Sequence, residues 1–308
     1  AVVHLGTHIE SRRDYQRLID ADPAFLLFVD VRYPGTVPLA DGMFPAYAQS
    51  IGARPTVNVA FMDAWNWKKA GATHARLCVD GGMRDSVSQN VVATLPGAHT
   101  NAEMLILGAH HDTQAASVGA DDNASGVAAL LELARVLKPL PLKRTVRLIS
   151  FGAEEQLSVG SAAYVRQHRE ELGRLARFMF NFDSFGSLLG WNELVCQGPD
   201  RMERAVRRFF ENAGHYAKLT RDIVPYADHF PFVAAGVCSA WLSRSNCTAG
   251  RFFHHRPDDD MQQLSFPLMA SLTDCVATLF AALATAEILP FPTAVPDNQF
   301  AAVDRMWQ

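Results

Sequence analysis

Hydrophobic positions along the chain follow two different rhythms, which meet near residue 85. Before that point, short apolar runs (AVVHL at 1–5, AFLLFVDV at 24–31, PTVNVAF at 55–61, HARLCVD at 74–80) are separated by turn-rich spacers. The first of these, AVVHL, reads as a strand. Helical spacing over 11–19 and 63–69 predicts two helices, and the Gly-, Pro- and Ala-rich stretch 33–55 reads as loop. A strand that starts at Ala1 has no lead-in, which predicts further sequence upstream. From Ser86 onward, strand and helix alternate in an α/β manner. Strands are predicted at SVSQNVVATLPG, EMLILGA, TVRLISFGA, ARFMFNFD and VCSAWL, and helices over 123–137, 161–168 and 202–213. A long apolar helix should follow Pro267. The tract 266–291 is broken by Asp274, Glu287 and several Ser and Thr, so it reads as a core helix and not as a membrane span.

This organisation predicts two regions: an accessory one at 1–84 and an α/β domain at 85–308. Composition changes the picture little. With 49% hydrophobic and 19% charged residues, the 308-residue chain has ample material for a core, and its net charge of −4 gives no footprint for nucleic acid or an anionic membrane. Five cysteines without a CxxC pair indicate neither a disulfide framework nor a thiolate metal site. Cys238 and Cys247 flank a short segment and are close enough in sequence to pair, but two buried free thiols are the simpler reading.

The polar clusters of the second region each follow an apolar strand. MLILGA leads into His110, His111 and Asp112; TVRLISFGA into Glu154 and Glu155; RFMFNFD ends in Asp183; VCSAWL leads through a loop to His254 and His255. Ligands of open α/β sheets bind beyond the carboxyl ends of the strands. Imidazole and carboxylate without thiolate suit zinc or a similar divalent ion. A single catalytic ion needs about three protein ligands; this set offers more, which suggests two ions joined by a bridging carboxylate. Each motif alone has a plain structural explanation, Asp121-Asp122 as a helix N-cap for instance. Their joint placement is what argues for a site.

The segments GAHHDT (108–113), GADDNASG (119–126), FGAEEQLSVGS (151–161), FNFDSFG (180–186), ADHFPFVAAGV (227–237) and HRPDDD (255–260) resemble, in order, those of the co-catalytic zinc exopeptidases. That family includes bacterial leucyl aminopeptidase, glutamate carboxypeptidase and glutaminyl cyclase. The resemblance implies a three-layer α/β/α fold with a mixed, mostly parallel central sheet. It implies two zinc ions, one held by His110, Asp183 and Asp122, the other by Glu155, His255 and Asp122. It further implies a water between the ions, Glu154 as general base, and Asp112 holding the His110 imidazole in place. Both His254 and His255 precede an Asp by four residues; Pro257 favours His255. Many relatives carry Tyr where this chain has His254, which suggests that His254 takes over the holding of the oxyanion. AFLLFVDV, RPTVNVAFMDAW and KKAGATHARLCVD resemble part of a protease-associated domain.

The function so implied is an exopeptidase acting on peptides, with aminopeptidase activity the leading reading. A carboxypeptidase or dipeptidase is the alternative; it would need a cation for the substrate carboxylate, with Arg244, Arg251 and Arg256 as candidates. Glutaminyl cyclase fits less well, because that branch has Trp before the last His ligand. A non-catalytic relative fits less well still, because every ligand position and the base are filled. Phe230, Phe232, Trp241, Phe252 and Phe253 are candidates for an apolar side-chain pocket. The family habit implies a secreted or periplasmic location.

Overall fold

The computed structural model describes residues 2–6, 9, 11–32, 34–38, 47–82, 84–99 and 102–306. Its N-terminal part is a small parallel sheet, β1 (Val2–Leu5), β2 (Leu26–Val29) and β3 (Thr56–Val59), with β2 in the middle. The middle strand LLFV is buried at every position, as a strand covered on both faces must be. Leu26 and Phe28 pack with Ile9, Tyr15 and Ala48 on one face, and Leu27 and Val29 with Val59 on the other. The helices α1 (Arg12–Asp20), α2 (Tyr47–Ile51) and α3 (Phe61–Lys69) complete this part. Ser11 caps α1 by accepting the Asp14 N–H at 3.1 Å.

One expectation needs correcting here. The stretch 33–55 is not loop throughout, because α2 lies inside it, anchored by buried Ala48; residues 39–46 fall outside the described set. The run HARLCVD forms no strand. All its residues except half-buried Leu77 are exposed, so there is no packed face to reward pairing.

The larger part is a seven-stranded sheet in the order β4-β6-β5-β7-β10-β8-β9. Its strands are β4 (Val91–Leu95), β5 (Met104–His110), β6 (Thr145–Phe151), β7 (Ala176–Phe182), β8 (Trp191–Gln197), β9 (Ala217–Thr220) and β10 (Ser239–Ser245). The four central strands β6, β5, β7 and β10 run parallel, while β4–β6 and β8–β10 pair antiparallel. Alternation along β5 divides the core: Leu105, Leu107 and Ala109 face one layer, Met104 and Ile106 the other. The first layer holds α4 (Ser125–Leu137), α7 (Asp200–Asn212), α9 (Phe266–Thr285) and α10 (Asp297–Met306). The second holds α5 (Val159–Gln167), α6 (Arg169–Leu175) and α8 (His229–Ala234). The result is the expected three-layer α/β/α fold with a mixed, mostly parallel sheet.

The predicted strand 86–97 shrinks to β4. Neither β8 nor β9 stood out in the sequence, because polar Asn192, Glu193 and Gln197 interrupt the apolar run. In the fold, Asn192 donates to the Tyr216 carbonyl at 2.9 Å and Gln197 to that of Asp222 at 2.8 Å. Long and apolar enough to cross a bilayer, α9 instead packs on α4 and α7. Leu272, Val276, Leu279, Phe280 and Leu283 join the main core. All five cysteines are free thiols, with Cys238 and Cys247 buried.

A buried ion pair joins the two parts. Arg256 donates to Asp30 at 2.8 Å and to the Val37 carbonyl, and both charged side chains are nearly inaccessible. Arg32 binds the same carboxylate from its exposed side. Replacing Asp30 with Ala should lower the unfolding free energy by about 3–5 kcal/mol, the cost of leaving one charge of a buried pair uncompensated. Arg32→Ala, at a side chain 39% exposed, should cost about 1 kcal/mol or less. Denaturant titration of both variants checks this, and equal effects would contradict it.

Candidate metal centre

The chain reverses its direction of travel across the sheet at β5: the connection through α4 leads to β6 on one side, and the next leads back to β7 on the other. Such a switch point opens a crevice beyond the carboxyl ends of the strands. His110 is the last residue of β5 and is fully buried. Its Nδ1–H donates to the Asp112 carbonyl at 3.0 Å, which leaves Nε2 as the ligating nitrogen. Around Nε2 stand Asp122 Oδ1 at 3.2 Å, Asp183 Oδ1 at 3.3 Å and Glu154 Oε2 at 3.9 Å.

Asp122 sits in an irregular turn, Ala120–Ala124, just ahead of α4, where Asp122 and Asn123 leave the helical region of φ/ψ. The turn is built by its neighbours. Gly119 adopts φ +69°, and a Cβ there would strike Thr113 Oγ1 at 2.6 Å and the Asp122 carbonyl at 2.8 Å. The Asp259 carboxylate accepts the N–H groups of Asp121 and Asp122 at 3.0 and 3.1 Å. Asn123 ties the turn to the end of β7 by donating to the Phe182 carbonyl at 2.9 Å. With its backbone fixed, Asp122 divides its carboxylate. Oδ1 faces His110, while Oδ2 faces His254 Nδ1 at 3.1 Å and His255 Nε2 at 3.3 Å. His255 Nε2 also stands 3.1 Å from Glu155 Oε2.

The structure therefore brings His110, Asp122, Glu154, Glu155, Asp183 and His255 together. It separates the ambiguous pairs as well. Asp121 turns away and accepts the Gly186 N–H at 2.7 Å; burial pushes its carboxyl up to about 8, and Asp259 and Asp122 add to the effect. Asp259 is buried against the Asp122 turn whereas Asp258 is exposed, which agrees with the His255 register. His111 stays at the surface, bonded to Ser150.

Two roles differ from expectation. Asp112 holds His110 through its backbone carbonyl; its carboxylate is 3.8 Å from Nδ1. That carboxylate accepts the N–H groups of Glu154 and Glu155 at 3.0 and 3.2 Å, fixing the loop that carries them. His254, expected to face an oxyanion, turns Nδ1 to Asp122 and stacks on His255 with ring centroids 3.6 Å apart. Asp259, Asn123 and Asp228 were passed over, although all three lie within or beside the quoted motifs. Asp228 is buried behind the site; burial pushes it up to about 7, with Asp183 and Asp112 contributing. Of the candidate pocket aromatics, Phe230 and Phe232 are core and Trp241 stacks on His229. Half-buried Phe252 and Phe253 adjoin His254.

The donor set fits metal cations. Two groups, His110/Asp122/Asp183 and Asp122/His254/His255, each keep their ligating atoms within 4.8 Å of one another, and they share Asp122. Glu155 completes the second group through His255. All donors are nitrogen or carboxylate oxygen, as zinc accepts. Burial pushes Glu154 well above the usual carboxylate range, with Asp183, Asp228 and Asp122 adding to it and His110 opposing. For His110 and His255 burial disfavours the charged form, but the neighbouring carboxylates outweigh it: Asp183 and Asp122 raise His110, and Asp122 and Glu155 push His255 up to about 10. Crowded buried carboxylates call for positive charge, which bound cations would supply.

Comparison with known proteins places the fold and the family. The chain is 30% identical to Aminopeptidase YwaD of Bacillus subtilis over 202 residues, 62% of this chain and 44% of that one. It is also 30% identical to an aminopeptidase of Pseudomonas aeruginosa, over 62% of this chain and 37% of the relative. It thus spans less than half the length of these relatives. Among solved structures, a zinc aminopeptidase from Bacillus subtilis superposes with a TM-score of 0.71 at 21% identity, covering 96% of this chain and 73% of that one. An aminopeptidase from Aneurinibacillus gives 0.67 at 23%, covering 96% and 70%. Residues 90–280, the sheet and site just described, match peptidase family M28, and the chain belongs to that family.

Proposed function

We propose that this chain is a zinc-dependent aminopeptidase that removes N-terminal residues from peptides, with two zinc ions sharing Asp122. The observation that carries the reading is the division of Asp122 between two ligand groups, with Glu154 beside them. His110 and Asp183 belong to one ion, Glu155 and His255 to the other. Zinc bound there supplies Lewis-acid polarisation of the scissile carbonyl and makes an attacking water more acidic.

The remaining work falls to the chain. Glu154, 3.9 Å from His110 Nε2, is placed to accept the proton of the attacking water at Oε2 and return it to the departing amine. Ser158 Oγ donates to Glu154 Oε1 at 3.2 Å and orients the carboxyl. Asp112 holds the loop of both glutamates, and Asp259 holds that of Asp122. Phe252 and Phe253 offer apolar surface to the side chain of the terminal residue. The region 1–84 is an accessory domain tied to the site loop through Asp30 and Arg256. The family habit supports a secreted or periplasmic location.

Electrostatics favour the amino end. The three arginines that would serve a carboxypeptidase are engaged. Arg244 bonds the Ser187 carbonyl and Asn192, Arg251 bonds Asn246, and Arg256 bonds Asp30. A free ammonium instead meets the carboxylates of Glu154 and Asp183.

Amino-acid anilides should be hydrolysed and N-blocked dipeptides with a free carboxylate should not. Chelation should abolish turnover and zinc should restore it; the opposite preference between substrates would favour the carboxypeptidase reading. Glu154→Gln should keep its metal content while kcat falls by about 10²–10⁴-fold, the contribution of a positioned general base. Metal analysis alongside steady-state kinetics checks this, and a variant with near-normal kcat would remove Glu154 from the role.

A further inference from the structure

His254 is the one member of the second ligand group for which the reading above has no use. Its Nδ1 lies 3.1 Å from Asp122 Oδ2, the same oxygen that His255 Nε2 approaches at 3.3 Å. Consecutive side chains in extended backbone point to opposite sides. Here they do not. His255 takes φ +58°, a region that non-glycine residues rarely occupy. The turn lays the two rings side by side, 26° apart in plane and 3.6 Å between centroids. Laid out in this way, His254 presents Nδ1 and His255 presents Nε2 to the same oxygen. The backbone on both sides is fixed. The His254 N–H donates to the Ala249 carbonyl at 2.7 Å, and Arg256, next after His255, is held in the junction by Asp30.

We propose that His254 is itself a metal ligand, joining Asp122, Glu155 and His255 around the second ion. The inference rests on the two-ion reading and deepens it. One ion then has four protein donors, the other three: His110, Asp122 and Asp183. Four protein donors close a zinc site, while three leave a position open for water or substrate. The two ions are therefore unequal. The His254 side holds its ion more tightly, and the His110 side is the exchangeable one. His254 acts on the metal, and the oxyanion is left to other groups.

The test is competition of the zinc-loaded protein with a graded series of chelators, read as bound zinc per chain. The wild type should release its ions in two separate steps. His254→Phe keeps the ring stacked on His255 but removes the nitrogen; His254→Ala serves if the Phe variant does not fold. In either variant the tight step should weaken by at least about 100-fold, because groups that merely orient a ligand already contribute about 10–100-fold in metal affinity. With cobalt in place of zinc, the visible absorption of the tight site should change in the variant, as expected on loss of one nitrogen donor. A variant that binds both ions with unchanged affinity and spectrum overturns the inference and leaves the two-ion reading standing. A wild type that takes up no zinc or cobalt overturns both.

Discussion

Negative charge packed away from water has to be answered by positive charge, and around Asp122 this requirement governs the rest of the structure. Asp122, Asp183, Glu154 and Glu155 converge at the ends of three neighbouring strands, and three imidazoles stand among them. A carboxylate pushed well above its usual range, as Glu154 is, shows how incomplete the compensation is within the chain alone. In the proposed two-ion reading, cations sharing Asp122 would complete it. Burial, with Asp183, Asp228 and Asp122 adding to it, raises Glu154, which suits the proton-moving role proposed for it.

The surrounding backbone exists to keep Asp122 where that balance works. Asp259 spends its carboxylate on two peptide N–H groups of the Asp122 turn, Asp112 spends its own on those of Glu154 and Glu155, and Asn123 bonds the end of β7. Each is an acidic or amide side chain that could pass for a ligand. Each works instead on the loop beside one. Charge-assisted bonds to backbone N–H groups are among the stronger hydrogen bonds, which suits loops that must hold several carboxylates in mutual repulsion.

This division of labour also explains which parts of the site were legible in the sequence. The candidate ligands were, because most follow strongly apolar strands whose direction and order decide where the residues go. The choice of Asp122 over Asp121 came from the resemblance to the zinc exopeptidases. The supporting contacts were not legible, because they depend on which atom of a residue does the work. Asp112 does orient His110, but through its carbonyl, which no side-chain motif reveals. Arg256 meets Asp30 from 226 residues away, and only the fold brings them together. Likewise β8 and β9 were hidden, since their polar residues are satisfied by contacts that a linear pattern does not show. The helix α2 was not legible because five residues carry almost no periodicity.

The position of Arg256 links the two halves of the argument. In the sequence it stood beside the last ligand as a candidate for binding a substrate carboxylate. In the fold its charge is consumed by Asp30, nearly out of reach of solvent. A guanidinium committed to a buried partner cannot serve a substrate without abandoning that partner, at a cost of several kcal/mol. The pair therefore does two things at once. It fastens the N-terminal sheet to the loop of His254 and His255, and it removes positive charge from the face where the substrate terminus lies. Under the proposed function, the commitment of Arg256 to Asp30 favours an ammonium terminus over a carboxylate at this site.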